Sequence, residues 1–188
     1  MPRKIFFIKT INILLLIFLA PSCALLVGQV KPVEEKTNEY EILDISKQNP
    51  NWQKLNPQTD ENTGDTANLS DISDLSFQSK KTASVISLNT ACRKSYEDKT
   101  QDLHKMTELL FMGISDISYK SETPTTLNNY PALNTIIQGK LASQETKLRA
   151  IVFQKKECVY DLMYVARPEQ YAQEEEDFNQ FVGSLKLK

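Results

Sequence analysis

Two runs of apolar residues near the C-terminus have the composition of β-strands. Residues 147–154 and 158–166 flank the charged residues 155–157, so the sequence predicts a β-hairpin. The centres of both runs are apolar at successive positions, whereas a sheet with one face in water alternates apolar and polar residues. We therefore expect both faces of this hairpin to be covered. The residues expected in its core are Leu148, Ile151, Val152, Phe153, Leu162, Met163 and Val165.

Three other segments predict helices. Residues 96–112 carry an apolar stripe at helical spacing, and residues 174–185 do the same at the C-terminus. A shorter helix is expected to start near Tyr130, because Pro131 suits a first helical turn. The apolar stripes of the three helices are, in chain order, Leu103, Met106, Leu109, Leu110 and Met112; Leu133, Ile136 and Ile137; and Phe178, Phe181, Val182 and Leu185. The residues expected to pack on the sheet are Leu110, Phe178, Phe181 and Val182.

The segments upstream are shorter and more polar. Residues 75–77 and 83–88 are strand-like runs separated by a turn at residues 79–81. The polar stretch 56–74 predicts a long surface loop. Residues 24–38 have no helix or strand period long enough to pack, which favours a spacer.

The N-terminus has the layout of an export signal. The basic residues Arg3, Lys4 and Lys9 precede or flank an apolar run at residues 11–20, which leads to a small residue and then Cys23. A positive start stays on the cytoplasmic side while a short apolar segment enters the translocation site. The sequence therefore predicts that the protein is exported.

The residues before Cys23 resemble the lipobox of bacterial lipoproteins. The match is L-A-P-S-C at residues 19–23, with Ala20 where the family has leucine and Pro21 where proline is unusual. The resemblance implies that residues 1–22 are a signal peptide, that Cys23 carries acyl chains, and that residues 23–38 tether a single domain at 39–188. Because Ala24 follows the cysteine, the resemblance also implies the outer membrane, with the domain facing the periplasm.

Two other interpretations of the N-terminus stay open. An uncleaved anchor could extend over residues 11–27, about the shortest length that spans a bilayer, although Asn12 and Pro21 weaken it. An ordinary secretory signal would leave Cys23 without a role.

Removal of the signal makes the chain more acidic. The 188 residues carry a formal net charge of −2, and loss of three positive charges with the signal lowers it to −5. The sequence has no basic patch interleaved with aromatic residues, so nucleic acid is not expected as a partner. The remaining residues, about 165, suit one domain with a core of its own.

Two cysteines follow Cys23. Cys92 and Cys158 form an even count in an exported chain, which predicts a disulfide in an oxidising compartment; two reduced, buried thiols are the alternative. Their spacing is far from C-x-x-C, so a catalytic redox pair is not expected. If they are bridged, their Cα atoms should lie about 4.4 to 6.8 Å apart.

Candidate chemistry is sparse. His104 is the one histidine, so neither a zinc site nor a serine triad is supported, and the sequence contains no G-x-S-x-G motif. The acidic run 174–177 could bind a cation, but at a helix start it favours a solvated turn that complements the helix dipole. Asp161 in an apolar strand predicts a structural hydrogen bond or a position facing a ligand. Four tyrosines could line a pocket or belong to the core: Tyr40, Tyr160, Tyr164 and Tyr171.

The order of several motifs resembles a group of uncharacterised bacterial envelope lipoproteins, which are in turn similar to the PsbP and DcrB class. The motifs are W-Q-K-L at 52–55, D-L-S-F at 74–77, S-V-I-S-L-N-T-A-C at 84–92, C-V-Y-D-L-M-Y-V-A-R-P-E at 158–169 and F-V-G-S-L at 181–185. The resemblance implies an α+β fold in which helices sandwich an antiparallel β-sheet, a PsbP-like α/β/α arrangement. It also implies paired cysteines at Cys92 and Cys158 and a Y-D pair at 160–161.

The functional expectation follows from these observations together. We expect a lipoprotein that is not an enzyme and that holds neither cofactor nor metal. Its membrane attachment is the lipid on Cys23, and its domain is expected to bind an envelope protein or to help assemble a complex. The alternative is a lipoprotein that binds a lipid or another small apolar ligand between sheet and helix.

Overall fold

The computed structural model of the protein describes residues 40–55, 74–93 and 100–188. These residues belong to one compact unit, Glu39–Lys188. The expected signal peptide, Cys23, the tether and residues 56–73 of the expected surface loop lie outside the described residues. So do residues 96–99 of the first expected helix.

Most of the described chain is β-structure. The elements in chain order are β1 Tyr40–Glu41, α1 Ile45–Gln48, β2 Trp52–Leu55, β3 Leu75–Ser79, β4 Val85–Cys92, α2 Leu103–Leu110, β5 Ile114–Leu127, β6 Tyr130–Leu141, β7 Gln144–Lys155, β8 Cys158–Ala166, α3 Pro168–Gly183 and β9 Lys186–Leu187. In these segments, no helix is both long and apolar enough to cross a membrane.

Seven of the strands form one antiparallel sheet in the order β2-β3-β4-β8-β7-β6-β5. The predicted hairpin is confirmed as β7 and β8, and it lies in the middle of the sheet. A second, two-stranded sheet pairs β1 with β9 and so joins the first described residues to the C-terminus. The central position of β7 and β8 explains their continuous apolar sequence, since both of their faces are covered.

Each face of the large sheet is contacted by one of the two longer helices. Helix α3 packs on β7 and β8, and its Phe178 stacks on Tyr164 of β8 at a ring-centroid distance of 5.7 Å. Phe181 of the same helix contacts Phe77 of β3 at 5.9 Å. Helix α2 packs on β6 and β7 from the other side, and Phe111 just after it is buried with Leu148. We call these two surfaces of the sheet the α3 face and the α2 face. The described structure is therefore mostly antiparallel β-sheet with few helices, and the two longer helices each pack on two of its strands.

The prediction of a helix near Tyr130 is wrong, because this segment forms strand β6. Ile136 and Ile137 are consecutive apolar residues that point to opposite faces of the sheet, a pattern that a short buried helix shares. Pro131 is tolerated because β6 pairs with β7 only from Ala132 onward, so no ladder bond to β7 is lost there.

The other helices exist with different boundaries. Helix α2 begins at Leu103, where the Asp102 side chain accepts hydrogen bonds from the backbone N–H groups of His104 and Lys105. Helix α3 begins at Pro168, six residues before the predicted start, because proline suits the first turn of a helix. Strand β5 was not predicted, since it is polar and lies at the edge of the sheet, where most of its side chains meet water.

The predicted core is largely confirmed. Five of the seven hairpin residues are buried, together with three of the helix residues: Leu148, Ile151, Val152, Phe153, Leu162, Phe178, Phe181 and Val182. Met163, Val165 and Leu110 are only half-buried. Met163 and Val165 point to the α2 face, where the eight-residue helix α2 packs on β6 and β7. Trp52, which the sequence did not single out for the core, is 1% exposed.

Replacing Phe181 with alanine should lower the free energy of unfolding by about 3 to 5 kcal/mol, because the Phe181 ring of α3 is fully buried and packs against Phe77. Gln180→Ala is the control, since Gln180 is an exposed neighbour in the same helix. Urea unfolding followed by circular dichroism measures both variants. Equal midpoints for the two would show that α3 does not contribute to the cooperative core.

Candidate functional site

The disulfide is present between Cys92 and Cys158. The two residues lie directly opposite each other at the ends of β4 and β8. Their Cα atoms are 4.0 Å apart, below the range expected from the sequence, because adjacent antiparallel strands hold opposite residues close together. The bridge therefore reinforces a strand pair that the backbone already forms.

The acidic run is not a solvated helix start, because it lies in the middle of α3. Glu174 is 6% exposed and accepts hydrogen bonds from Ser79 Oγ and Thr82 Oγ1, both at 2.5 Å. The last residue of β3 and one residue of the turn that follows it are therefore bound to α3. A buried carboxylate is costly without such partners, so the two hydroxyl donors offset much of its desolvation.

The next carboxylates of α3 bind other parts of the domain. Asp177 accepts a hydrogen bond from Trp52 Nε1 at 2.9 Å and another from Asn49 Nδ2 at 3.2 Å. Glu175 lies 3.4 Å from Arg149 Nη1 on β7. The alternative of a cation site has no support in the described segments, where no group of three or more potential metal ligands occurs. The run instead fixes α3 over the sheet.

Asp161 has the structural hydrogen bond that was one of its two expected roles. It is 8% exposed on β8, and Asn89 Nδ2 donates to its Oδ2 atom at 3.1 Å from the facing position of β4. The contact joins two central strands on the α2 face.

His104 lies on the surface of α2 rather than in a cleft. Its side chain is 61% exposed, and Nδ1 is 2.8 Å from Glu122 Oε2 on β5. Lys120 Nζ is 3.0 Å from the other oxygen of the same carboxylate. Lys120 and then His104 hold the pKa of Glu122 below its usual value. These contacts connect α2 to the edge strand.

The tyrosines belong mainly to the core. Tyr160 stacks on Phe153 at 4.8 Å, and Tyr164 donates a hydrogen bond from its hydroxyl to the Tyr171 carbonyl at 2.8 Å. Tyr160, Tyr164 and Tyr171 are at most 2% exposed. Tyr40 is half-buried, and burial raises the pKa of its hydroxyl to about 12. These rings fill the α3 face of the sheet.

Apolar side chains are exposed near the end of α2, at the start of β5 and at the end of β6, which pairs with the start of β5. The sequence placed Leu109 and Met112 in a helical stripe, but α2 ends at Leu110, and these two side chains are 61% and 74% exposed. Leu141 ends β6 opposite Ile114, and its Cδ1 atom would lie 3.9 Å from a Cβ on Gly113. We call the exposed side chains of Leu109, Met112, Ile117 and Leu141 the apolar end patch.

A bulge in the edge strand places Ile117 in this patch. The pairing of β5 with β6 shifts between Ser115 and Tyr119, and the extra residues lie over Gly139. A Cβ at Gly139 would lie 2.6 Å from the Ser115 carbonyl oxygen and 3.3 Å from the Ile117 Cα atom. Gly139 lies two residues after Ile137 in β6, so both residues face the α2 side of the sheet. The bulge, which approaches Gly139 closely, therefore folds toward the side that α2 occupies. Ile117 therefore lies on the same side of the sheet as Leu109 and Met112.

Comparison with known proteins identifies the fold. No protein-family profile and no curated protein sequence matches the chain. The solution structure of cyanobacterial PsbP (CyanoP) from Synechocystis sp. PCC 6803 matches with a TM-score of 0.51 and 10% identity, over 90% of this chain and 99% of that one. The fold is thus PsbP-like.

Two further solved structures are less similar. A protein of unknown function from Pseudomonas aeruginosa, described as a putative regulator, has a TM-score of 0.43 and 13% identity over 73% of this chain and 82% of its own. A Bacteroides thetaiotaomicron structure has a TM-score of 0.45 and 8% identity over 73% and 42%.

Replacing Glu174 with glutamine should lower the free energy of unfolding by about 1 to 3 kcal/mol, because the buried charge-assisted hydrogen bonds from Ser79 and Thr82 are lost. Glu176→Gln is the matched control, since Glu176 is exposed in the same helix. Urea unfolding at neutral pH measures both. A Glu174→Gln variant as stable as the control would refute the structural role of this carboxylate.

Replacing Gly139 with alanine should cost about 1 to 3 kcal/mol, because the new methyl group would collide with the Ser115 carbonyl and displace the bulge. Gly183→Ala should be neutral or slightly stabilising, since nothing lies within 4 Å of a Cβ there and alanine is the better helix former. Thermal unfolding compares the two variants. A higher melting temperature for both the Gly139→Ala and the Gly183→Ala variants would contradict the close approach of the bulge to Gly139.

Proposed function

We propose that the chain is a lipid-anchored, non-catalytic protein of the bacterial cell envelope whose domain binds an envelope protein or helps to assemble a complex. The observation that carries the proposal is the apolar end patch. Its four side chains are between 39% and 74% exposed, and they come from three neighbouring parts of the chain. Grouped apolar side chains on a folded surface are typical of interaction sites.

The polar residues that could have suggested an enzyme support the same proposal. Glu174, Asp161 and His104 are each engaged with another part of the domain, through Ser79 and Thr82, Asn89 and Glu122 respectively. These contacts hold elements of the fold together. The side chains with the most obvious chemistry therefore have structural roles.

The packing between α3 and the sheet favours a protein partner over a small apolar ligand. Phe178 and Phe181 are both 0% exposed, and they contact the rings of Tyr164 and Phe77 on the sheet. Aromatic rings therefore fill the contact between this helix and the sheet. The side chains of the apolar end patch, in contrast, are exposed to solvent.

The anchor is the part of the proposal that rests on sequence. Acyl chains on Cys23 would hold the protein at the membrane, where one chain alone binds only weakly and two or more are needed for stable attachment. The outer membrane, with the domain in the periplasm, is the location that Ala24 after the cysteine favours. The partner is then a protein of the same compartment.

In a deletion strain, Cys23→Ala should abolish acylation and impair complementation, because the protein is no longer held at the membrane. His104→Ala and Asp161→Asn should each retain complementation, because neither residue takes part in chemistry. Mass spectrometry of the native N-terminus, membrane fractionation and growth assays at matched protein abundance are the measurements. An unmodified N-terminus at Met1 would refute the anchor, and loss of function in a stable, correctly located His104→Ala protein would refute the non-catalytic role.

A further inference from the structure

The second half of strand β4 is held on one side only. Residues 85–88 pair with both β3 and β8, whereas residues 89–92 pair with β8 alone among the described strands. We call residues 89–92 the β4 end segment. Strand ends open more readily than strands with two partners, because fewer backbone hydrogen bonds hold them in place.

A side-chain contact lies at each end of the β4 end segment. The Asn89 side chain donates a hydrogen bond at 3.1 Å to the carboxylate opposite it on β8, and Cys92 is bonded to Cys158. One position beyond the bridge, the backbone N–H of Arg93 donates to the Glu157 carbonyl at 2.8 Å. The backbone pairing thus continues past the bridge. The disulfide is a covalent clamp at the end of a segment that backbone hydrogen bonds already align.

The two bridged cysteines differ in their access to solvent. Cys92 is exposed, as are its neighbours Ala91 and Arg93, whereas Cys158 is 3% exposed and belongs to the core of the α3 face. Thiol–disulfide exchange requires a thiolate to reach one of the two sulfur atoms. A reductant therefore reaches the bridge of the folded domain at Cys92, and Cys158 is the leaving group.

We propose that the Cys92–Cys158 bridge is a redox-operated clamp on the β4 end segment, and that a protein dithiol opens it by attack on the Cys92 Sγ atom. Opening the bridge frees the segment to separate from β8, while the rest of the sheet stays paired. The clamp is independent of the anchor and of the binding role proposed above.

The two thiols of the reductant balance the reaction. One thiolate bonds to the Cys92 Sγ atom, the bond between the two cysteine sulfurs breaks, and Cys158 leaves as a thiolate that takes a proton from water. The second thiolate of the reductant then attacks its own partner sulfur in the mixed disulfide and releases Cys92, which is protonated in turn. The dithiol becomes a disulfide, and the bridge gains two electrons and two protons. A protein disulfide closes the bridge by the same steps in reverse.

Glutathione, a monothiol, tests the point of attack on the full-length protein purified from the cells that produce it. Its mixed disulfide should form on Cys92, while Cys158 becomes a free thiol that iodoacetamide alkylates. Mass spectrometry separates the two sites, because residues 82–93 and 157–186 are different tryptic peptides with one cysteine each. An adduct mainly on Cys158 would overturn the assigned point of attack.

The kinetics of reduction by dithiothreitol test whether the folded domain reacts. The rate should rise in proportion to the dithiothreitol concentration and should not change with urea below the unfolding transition, because the exposed cysteine is attacked without unfolding. A rate that reaches a plateau at the rate of unfolding would show that the bridge opens only in unfolded protein. That result would overturn the clamp.

Hydrogen exchange followed by NMR tests the release of the segment. In the reduced protein, the backbone amides of Ala91 and Arg93 should exchange at least about tenfold faster than in the oxidised protein, because the strand end opens locally. Val85 and Ser87 are the internal controls, since they lie in the half of β4 that has a partner on both sides. Their exchange should be the same in both states.

The Cys92→Ser/Cys158→Ser double variant removes the bridge without a reductant. It should unfold cooperatively and should show the exchange pattern of the reduced protein. Loss of folding, or faster exchange throughout the sheet, would show that the bridge holds the whole domain rather than one strand end. Unchanged exchange at Ala91 and Arg93 in both the reduced protein and the variant would show that the segment does not open. Either result overturns the proposal.

Discussion

The burial of both faces of β7 and β8 is the constraint on which this fold depends. These strands alternate apolar side chains between the α3 face, with Ile151 and Phe153, and the α2 face, with Leu148 and Val152. Apolar surface on both sides of a sheet must be removed from water, so helices are needed on both sides. The strands β4 and β6 then surround the hairpin and complete the ladder on either side.

The two helices satisfy this constraint unequally. Helix α3 has 16 residues, and its buried aromatic rings fit between those of Phe77 and Tyr164. Its carboxylates give the packing a direction, because Glu174, Glu175 and Asp177 each bind a different element. Hydrophobic burial alone would tolerate several positions of the helix on the sheet. Buried polar contacts penalise a shift, since a displaced carboxylate would lose its donors.

Helix α2 leaves apolar surface at its end. It has eight residues and ends at Leu110. The side chains of Leu109 in its last turn and of Met112 just after it are both exposed. The bulge in β5 adds Ile117 to the same side. The edge of the sheet is thereby protected against strand pairing, while its end retains exposed apolar side chains. This combination suits contact through side chains rather than through the backbone of another strand. A PsbP-like fold does not itself specify a function, and the binding role proposed for this protein rests on this exposed surface.

The sequence by itself determined the central hairpin, the last helix, the cysteine pair and most of the core, because continuous apolar strands and helical stripes are local signals of burial. It did not distinguish β6 from a helix, since Ile136 and Ile137 fit either period until the neighbouring strands fix the backbone. It also did not predict β5, whose polar residues form a strand only because β6 offers a partner. The roles of Glu174 and Asp177 and the grouping of Leu109, Met112, Ile117 and Leu141 were decided by the tertiary structure. These depend on contacts between residues far apart in the chain, and no local pattern records which side chains such contacts bury or leave in water.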